Sequence, residues 1–293
     1  MKAGLVTFYH IHHYGALLQA AATERAVERF GWDCEIIDYF VNQDNALFKR
    51  PTGLGSAAHD AHTALHYQAL SERYRRFEKF SRDHLRISDR RYGHFDELAG
   101  GPLPYDLILS GSDQIWNPTI FPDHRFDPVF FSAFTAGRKI AYAPSFGVPR
   151  VPDGMEDELR SYLAPFSHIA VRETQGQTIL EGMQAELKGY LDGFSHLSAR
   201  ETQGSAIIRD IAGKDAPVVL DPTLLLTADQ WAAMADHPAN YPKGGYILCY
   251  CISRPDALVP YIETLARETG LPVVQLCGIR RPVVPGARLV LDA

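Results

Sequence analysis

Short apolar runs alternate along the chain with amphipathic stretches and with turns that contain glycine or proline. Lys2–Tyr9 is an apolar run that predicts a short buried strand. Ala16–Phe30 carries apolar residues at helical spacing and predicts a helix that ends at Gly31, and Cys34–Tyr39 predicts the next strand. A strand, a helix and a strand in this order predict a βαβ unit and therefore a parallel sheet.

Further apolar runs predict the rest of this sheet. They are Tyr105–Ser110, Lys139–Ala143, Ile169–Arg172 and Val218–Leu220. Each ends in a small polar loop, and ligands of open parallel sheets bind at the carboxyl ends of the strands. Residues 65–86 predict a long amphipathic helix that carries many arginines. We interpret it mainly as a solvated surface, with a docking surface for an anionic acceptor as the alternative.

The alternation is interrupted and then restarts near residue 237. Tyr246–Ile252 and Pro272–Leu276 predict strands on either side of a helix at Ala257–Thr269. We therefore predict two domains of the α/β class: a Rossmann-like parallel sheet over residues 1–236 and the start of a second Rossmann-like domain over 237–293. The second stretch has only about 50 residues, too few for a sheet covered on both faces, so we expect it to be incomplete and its strands poorly covered.

One segment of the first domain is duplicated. Residues 162–176 recur in related form as residues 190–204. Two copies are too few for a solenoid, so we interpret them as a local duplication within 162–204. Both copies cannot easily fill one position of the sheet, so we expect one of them to form an extra strand-helix unit or a loop.

Composition and charge restrict the class of function. Hydrophobic residues make up 46% and charged residues 22% of the 293, the balance of a globular protein. The formal net charge of -6 argues against a general nucleic-acid binder. The apolar runs are shorter than a membrane span, and Met1–Tyr9 does not have the form of a signal peptide. We therefore expect a cytoplasmic protein with no integral membrane segment, for which peripheral association stays open.

Histidines and cysteines raise the question of a metal site. His10, His12 and His13 lie close together, but adjacent side chains of an extended chain point to opposite faces, which makes a three-histidine site awkward. The four cysteines include no CxxC pair, so they are interpreted as reduced core thiols. We expect no metal, and a histidine loop that faces a cleft.

Four segments together resemble the polysaccharide pyruvyl transferase family. They are Thr7-Phe8 through Tyr14-Gly15-Ala16-Leu17-Leu18-Gln19-Ala20, Tyr105-Asp106 through Gly111–Asn117, Ile140–Gly147, and a Ser-Val-Arg-Glu-like segment followed by Leu220–Leu224. Their order and spacing match over residues 3–250. The chain departs from the family in having His12 and His13 where asparagine is usual. None of its twelve histidines is followed by glycine, whereas family members carry a His-Gly step in the C-terminal domain.

The resemblance implies a GT-B-like architecture, in which two Rossmann-like domains face each other across a cleft. Family members transfer the enolpyruvyl carbons of phosphoenolpyruvate to two sugar hydroxyls as a cyclic ketal and release phosphate, so no cofactor is implied beyond this donor substrate. The implied acceptor is a glycan or a lipid-linked glycan of exopolysaccharide or cell-envelope synthesis. The alternatives are a GT-B-type glycosyltransferase that uses a nucleotide sugar, and a truncated, non-catalytic fragment that only binds glycan.

Ketal formation needs a positioned acid or base and cationic groups for the donor. The resemblance points to Asp113 and His13 as catalytic residues, with Asp113 orienting or deprotonating the acceptor hydroxyl. The candidate substrate-binding residues lie on the same segments or on the duplicated one: Tyr14, Gly15, Gln19, Gly111, Ser112, Gln114, Trp116, Asn117, Ser145, Arg172 and Arg200.

Several of these candidates have a structural alternative. Arg200 is the first candidate for an anion contact and Arg172 is its duplicate, but each can instead pair with the glutamate that follows it. Ser112 or Asp113 can cap the helix that follows. Trp116 can stack on a sugar or belong to the core. Asp221 is expected mainly to fix the exit from a strand.

Overall fold

The structure, a computed structural model, describes residues 1–40, 61, 64–65, 67–144, 146, 148, 152–165, 168–171, 196–199, 221–236, 242, 244–250, 256–276 and 286–290. These residues fall into two compact units. The first lies within Met1–Gln43 and Ser81–Met234, and the second within Asp44–Phe80 and Ala235–Ala293.

The first unit is built on a parallel sheet. Its described strands are β1 (Lys2–Val6), β2 (Asp33–Tyr39), β3 (Ile87–Tyr92), β4 (Leu107–Ser110), β5 (Lys139–Ala141), β6 (His168–Val171) and β7 (His196–Ala199). They are ordered β3-β2-β1-β4-β5-β6-β7, and every described pair is parallel. This is the doubly wound order, in which the direction of the winding reverses between β1 and β4. The predicted α/β class and Rossmann-like sheet are confirmed.

Helix α1 (Tyr14–Glu28) connects β1 to β2. Ala20, Ala21 and Ala22 have no exposed surface, because the helix is covered on most sides and its small side chains allow close packing. The further described helices of the chain up to residue 236 are α2 (Tyr67–His84), α3 (Phe95–Ala99), α4 (Glu156–Leu163) and α5 (Ala228–Met234). The amino-terminal part of α2 belongs to the second unit.

Strand β3 was not predicted by the hydrophobic pattern. Its central residues Ser88, Asp89, Arg90 and Arg91 are polar, and the last three of them are exposed. The strand lies at the edge of the sheet, where only one side is paired and charged residues are favoured. The apolar alternation that marks a half-buried strand is therefore missing.

The duplicated segment contributes two neighbouring strands. His168 of β6 pairs with His196 of β7, and Val171 pairs with Ala199, so each residue lies beside its own copy 28 positions along the chain. The second copy adds a strand to the edge of the sheet, which decides between the two predicted outcomes for this part of the duplication. The strand predicted at Val218–Leu220 lies outside the described residues.

Aromatic side chains form the core under the carboxyl ends of β1 and β4. The ring of Phe8 meets Phe130 edge-on at 4.9 Å, and the indole of Trp116 stacks on Phe131 at 4.8 Å. Trp116 Nε1 also donates to the carbonyl of Phe130 at 2.9 Å. Packing of this kind holds the loops that follow both strands on a rigid base.

The second unit also contains a parallel sheet. Its described strands are β8 (Ile247–Tyr250), β9 (Val273–Leu276) and β10 (Arg288–Val290), in the order β10-β9-β8, and helix α6 (Val259–Thr269) joins β8 to β9. Cys249, Val273 and Ala287 form a small core with α6. The predicted strand-helix-strand pattern is confirmed over the described residues, and β10 is added.

Coverage of this second sheet differs between strands. Leu248 and Tyr250 on β8 are 53% and 42% exposed, as expected for a poorly covered strand. The same expectation is wrong for β9, because Val273, Val274 and Gln275 are buried. Strand β9 is central, with a neighbour on each side, whereas β8 ends the described sheet.

Two further expectations concern the described residues. Cys34 and Cys249 are buried and form no disulfide, as expected for core thiols. Among the described helices, none combines the length and the apolar character that a membrane crossing requires.

Candidate functional site

The carboxyl ends of β1 and β4 lie side by side where the strand order reverses. The Gly111 N–H donates to the Val6 carbonyl at 2.8 Å, and the two chains continue into different loops beyond this bond. One loop runs over residues 7–13 into α1, and the other runs over residues 111–117. Doubly wound sheets bind ligands in the crevice at this point. Most of the predicted site residues come together here.

Thr7 links the two loops. Its Oγ1 donates to the Ser112 carbonyl at 2.8 Å and accepts from Gln19 Nε2 at 2.7 Å. Gln19 Nε2 also donates to the Ala16 carbonyl at 3.0 Å, so the amide reaches from the first turns of α1 to the end of β1. All four residues are buried. The sequence analysis gave Thr7 no role, although a hydroxyl directly after an apolar strand is a usable signal.

Two atoms beside Thr7 lack a hydrogen-bond partner among the described residues. They are Gln19 Oε1 and Ser112 Oγ, and both are buried. Buried polar atoms are normally paired, and exceptions are concentrated at sites that bind water or ligand. Both atoms belong to predicted substrate-binding residues, so the crevice retains hydrogen-bonding capacity at its base.

Gly111 allows the β4 loop to approach β1 closely. A Cβ at this position would lie 2.8 Å from Leu5 Cδ1 and 3.0 Å from Thr7 Cβ, which is closer than real side chains come. The glycine therefore has a packing role at the crevice. Gly15 lies exposed in the first turn of α1, beside the half-buried Tyr14.

Asp113 sits on a strained backbone at the end of β4. Its φ is 105°, a region that residues with a side chain rarely adopt. It forms an isolated parallel bridge with Pro144, and Ala143 beside it has a φ of 51°. Strained residues cluster at active sites, where the surrounding structure holds them in place. The strain supports Asp113 as a functional residue.

The expectation that Ser112 or Asp113 caps a following helix is wrong. Asp113 Oδ1 accepts from the adjacent Gln114 N–H at 2.7 Å, and the segment continues as a turn into a short 3-10 helix, Pro118–Ile120. The cap of that helix is Asn117. Its Oδ1 accepts from the Thr119 N–H at 3.0 Å, and its Nδ2 donates to Gln114 Oε1 at 3.0 Å.

Trp116 and Asn117 belong to the interior in this structure. Trp116 is 1% exposed and stacks on Phe131, so it offers no ring face to a sugar, and the expectation of sugar stacking is corrected. Asn117 is 4% exposed and its amide is used in the cap and in the contact with Gln114. Both residues support the loop that carries Asp113.

His13 is the N-cap of α1. Its Nδ1 accepts from the Ala16 N–H at 3.3 Å, which satisfies one of the unpaired donors of the first turn. An imidazole that accepts through Nδ1 carries its hydrogen on Nε2. In this arrangement Nδ1 of His13 serves the backbone of α1. Ser145, Arg172 and Arg200 lie outside the described residues.

A second polar cluster lies at the ends of β1, β2 and β3, and the sequence analysis missed it. Asp38 is its centre. Tyr9 OH donates to Asp38 Oδ1 at 2.6 Å, His10 Nε2 lies 3.0 Å from the same oxygen, and Arg91 Nε donates to Oδ2 at 3.0 Å. An acidic residue at the end of the second strand of a doubly wound sheet was a signal that could have found it.

This cluster argues against a dinucleotide site. In dinucleotide-binding sheets the acidic residue after the second strand binds ribose hydroxyls, and a glycine-rich turn follows the first strand. Here both oxygens of Asp38 are bound by protein side chains, and the loop after β1 consists largely of aromatic and imidazole side chains.

Asp221 fixes the local chain, as expected. Its Oδ1 accepts from the Thr223 N–H at 3.0 Å and from Thr223 Oγ1 at 2.6 Å, which caps a short 3-10 helix. Burial, with Asp221 as a smaller contribution, raises the pKa of Tyr142 at the end of β5 to about 12. No group of three or more metal-ligating side chains occurs among the residues the structure describes.

Comparison with known proteins assigns the family. The family model described as polysaccharide pyruvyl transferase matches residues 13–184, which is more than half of the chain and includes His13, helix α1 and the loop over residues 111–117. A search of curated proteins gave no match. Among solved structures, the glycosyltransferase SnogD from Streptomyces nogalater is 14% identical, with a TM-score of 0.24, 99% of this chain covered and 71% of that chain. A likeness this distant carries no information about substrate or mechanism. On the family match, the chain belongs to the polysaccharide pyruvyl transferase family.

Proposed function

We propose that this protein transfers a pyruvyl group from phosphoenolpyruvate to two hydroxyls of a sugar in a polysaccharide or its lipid-linked precursor, forming a cyclic ketal and releasing phosphate. The observation that carries the proposal is the position of the family match. It covers the loop of Asp113 and the start of α1, which meet at the crevice of a doubly wound sheet.

The character of the crevice supports an acceptor sugar as its ligand. Its lining offers hydrogen-bonding groups of several kinds: the carboxylate of Asp113, the amide of Gln114, the phenol of Tyr14 and the imidazole of His13. All four side chains are half-buried and can be reached from solvent. Sugar hydroxyls donate and accept hydrogen bonds, so such a mixture suits them. Gln19 Oε1 and Ser112 Oγ add two further hydrogen-bonding atoms at the base of the crevice.

The proposed transfer breaks and forms a defined set of bonds. Two sugar O–H bonds, the C2=C3 π bond and the bond between C2 and the phosphate oxygen break, while two bonds from C2 to sugar oxygens, one C3–H bond and one O–H bond on phosphate form. One hydroxyl proton therefore ends on C3, which becomes the methyl carbon, and the other leaves with phosphate. A positioned base is needed as each hydroxyl attacks C2.

Asp113 is proposed to orient one acceptor hydroxyl and to accept its proton. Its backbone is strained at the end of β4, and its Oδ1 accepts a hydrogen bond from the Gln114 N–H. Preorganised geometry of this kind is a large part of a catalytic effect. His13, whose Nδ1 caps α1 at the crevice, is proposed to act beside Asp113 as the second catalytic residue. Arg172 and Arg200 remain the proposed contacts of the donor phosphate and carboxylate.

The proposal is tested by phosphate release. The purified chain is incubated with phosphoenolpyruvate and with methyl glycosides and oligosaccharides of galactose, glucose and mannose. We expect phosphate release that depends on an acceptor, and we expect Asp113→Asn to lower kcat about 100-fold or more while the melting temperature stays close to that of the wild type. A parallel incubation replaces phosphoenolpyruvate with nucleotide sugars. Consumption of a nucleotide sugar there, with no phosphate release from phosphoenolpyruvate across the panel, would contradict the proposal.

A further inference from the structure

The base of the crevice contains two hydrogen-bonding atoms that the fold leaves unused. Gln19 Oε1 and Ser112 Oγ have no hydrogen-bond partner among the described residues. Gln19 is 3% exposed and Ser112 is 0% exposed, so bulk water does not supply the missing partners. Unpaired polar atoms in the interior are rare and destabilising, and a bound group that completes their hydrogen bonds is one reason for them.

Both residues lie at the carboxyl edge of the sheet, where β1 and β4 separate. The Thr7 hydroxyl bonds to both of them, to the Ser112 carbonyl at 2.8 Å and to Gln19 Nε2 at 2.7 Å. The Gly111 N–H donates to the Val6 carbonyl directly beneath them in the two chains. The two unused atoms therefore belong to one cluster, at the point where a doubly wound sheet binds its ligand.

The hydrogen bonds around Thr7 decide which end of the Gln19 amide is unused. A carbonyl oxygen only accepts, so the single hydroxyl hydrogen of Thr7 goes to the Ser112 carbonyl. Thr7 Oγ1 can then only accept from Gln19, which places the amide nitrogen of Gln19 against it. The other hydrogen of this nitrogen goes to the Ala16 carbonyl at 3.0 Å. The atom left over is the amide oxygen, which accepts and cannot donate.

This pair of atoms suits a neutral hydroxyl better than an anion. Gln19 Oε1 needs a donor, while Ser112 Oγ can donate or accept, and a sugar hydroxyl can serve both atoms at once. The phosphate and carboxylate of phosphoenolpyruvate are ionised at about pH 8 and have no hydrogen to give to Gln19 Oε1. None of Thr7, Gln19, Gly111 and Ser112 carries a positive charge that would attract them.

We propose that Gln19 and Ser112 form a subsite that selects one hydroxyl of the acceptor sugar and excludes the anionic groups of phosphoenolpyruvate. The inference rests on the proposed function, which names the two substrates. The bound hydroxyl donates to Gln19 Oε1 and accepts from Ser112 Oγ. Both side chains are enclosed in this structure, so the subsite is closed here and opens as the acceptor enters. Phosphoenolpyruvate binds outside it.

Ser112→Ala tests the subsite, because it removes Oγ and keeps the backbone carbonyl that Thr7 binds. Isothermal titration calorimetry of the whole chain at about pH 8 measures binding of the methyl glycosides of galactose, glucose and mannose and, separately, of phosphoenolpyruvate. We expect the variant to bind the glycosides about 5-fold to 20-fold more weakly and to bind phosphoenolpyruvate as the wild type does. Its melting temperature should stay the same or rise, because the lost hydroxyl had no partner.

Ser88→Ala is the matched control for this variant. Ser88 is also a buried serine, but its Oγ accepts from the Asp38 N–H at 2.9 Å and donates to the Arg90 carbonyl at 2.9 Å. The same chemical change therefore breaks two hydrogen bonds at the edge of the sheet. We expect a lower melting temperature and an unchanged affinity for the glycosides.

Methyl glycosides that each lack one hydroxyl identify the group that enters the subsite. One of them should bind the wild type more weakly than its parent by the same factor that Ser112→Ala produces. The same glycoside and its parent should bind Ser112→Ala almost equally, because the interaction is already absent from the variant.

Equal affinity of the wild type and Ser112→Ala for the glycosides would overturn the inference. Weaker binding of phosphoenolpyruvate alone would overturn it too, since an anion would then occupy the base of the crevice, and so would a wild type that binds none of the glycosides. A wild type that binds the glycosides in the expected pattern but releases no phosphate from phosphoenolpyruvate would remove the proposed transfer and leave the hydroxyl subsite in place.

Discussion

Thr7 shows how the geometry of the crevice depends on a single buried hydroxyl. It receives a hydrogen bond from Gln19 on α1 and gives one to the backbone of Ser112 in the β4 loop. Neither loop contains regular structure at this point, so no strand or helix hydrogen bonds could replace these two contacts. The residue before Asp113 is therefore held by a side chain that precedes it by more than a hundred positions.

Replacement of Thr7 by valine tests this link. Valine has nearly the same shape but no hydroxyl, so the Ser112 carbonyl loses its donor and Gln19 Nε2 loses one acceptor. We expect the free energy of unfolding to fall by about 1–3 kcal/mol. Chemical denaturation measures the change. Thr7→Ser keeps the hydroxyl and should lose less than Thr7→Val, and equal losses in the two variants would show that the hydrogen bonds do not matter.

Glu24 illustrates the cost of a buried carboxyl. It is 2% exposed on α1, and the Arg86 N–H donates to both of its oxygens, at 3.2 Å and 3.0 Å. Burial raises the pKa of Glu24 from its ordinary value of 4.5 to about 7 in the folded protein. The folded state therefore binds this proton more tightly than the unfolded state does. Its contribution to stability is complete below pH 4.5 and is lost as the pH rises to about 7.

Replacement of Glu24 by glutamine should remove this part of the pH dependence. Glutamine keeps an oxygen that can accept from Arg86 and carries no charge at any pH. We expect the variant to be more stable than the wild type at pH 8, by on the order of 2–3 kcal/mol, and to differ little from it at pH 4. Urea denaturation at the two pH values measures the difference. An equal effect of the substitution at both pH values would contradict the assignment.

At the scale of elements, the duplicated segment shows how a sheet can grow at its edge. Strands β6 and β7 are copies that pair in register, and β6 in turn pairs with β5 through His168 and Ile169. A parallel edge strand needs a partner on one side only, so a copied strand can be added without rearranging the strands before it. The crevice lies between β1 and β4, at the opposite side of β5 from the addition.

Deletion of one copy tests this description. Removal of residues 163–190 joins Tyr162 to Leu191, so the sequence of α4 is kept and His196–Ala199 follows it at the spacing that His168–Val171 now has. We expect the remaining copy to occupy the position of β6, with cooperative unfolding and a melting temperature within about 5 °C of the intact chain. A chain that no longer unfolds cooperatively in calorimetry would show that both copies are required.

Elements with a regular apolar pattern were predictable from the sequence, whereas those shaped by their position in the sheet were not. The sequence predicted β1, α1 and β2 because their buried faces repeat at the period of a strand or a helix. It missed β3, whose exposed Asp89, Arg90 and Arg91 reflect its edge position. Predicted strand ends were also too long, as at β1, where Thr7, Phe8 and Tyr9 are apolar or buried but belong to the loop.

The sequence predicted which loops form the crevice, but it did not predict the roles of their residues. Glycine- and polar-rich segments after apolar strands located the loops at the crevice, since the carboxyl ends of parallel strands meet at one edge. Sequence alone could not decide whether Trp116 packs in the core or stacks on a sugar, because an aromatic ring is suited to both roles. The Asp38 cluster brings together residues from three strand ends, and such contacts have no local signal.

At the scale of the whole molecule, the chain combines two parallel sheets with the sequence features of one family. The first unit holds the crevice and both of its loops, and the second contains a further three described strands. The family match over residues 13–184 lies largely within the first unit. We propose that the crevice of the first unit serves the attack of sugar hydroxyls on C2 of phosphoenolpyruvate.

Carbon NMR of the product shows whether this ketal forms. The chain is incubated with phosphoenolpyruvate labelled with carbon-13 at C2 and with the acceptor that gives the fastest phosphate release, and the Asp113→Asn variant serves as control. We expect the labelled enol carbon to become a quaternary ketal carbon bonded to two sugar oxygens, and we expect the control to form little of it. A label that stays in phosphoenolpyruvate or appears only in free pyruvate would show that the chain does not transfer the pyruvyl group to sugar.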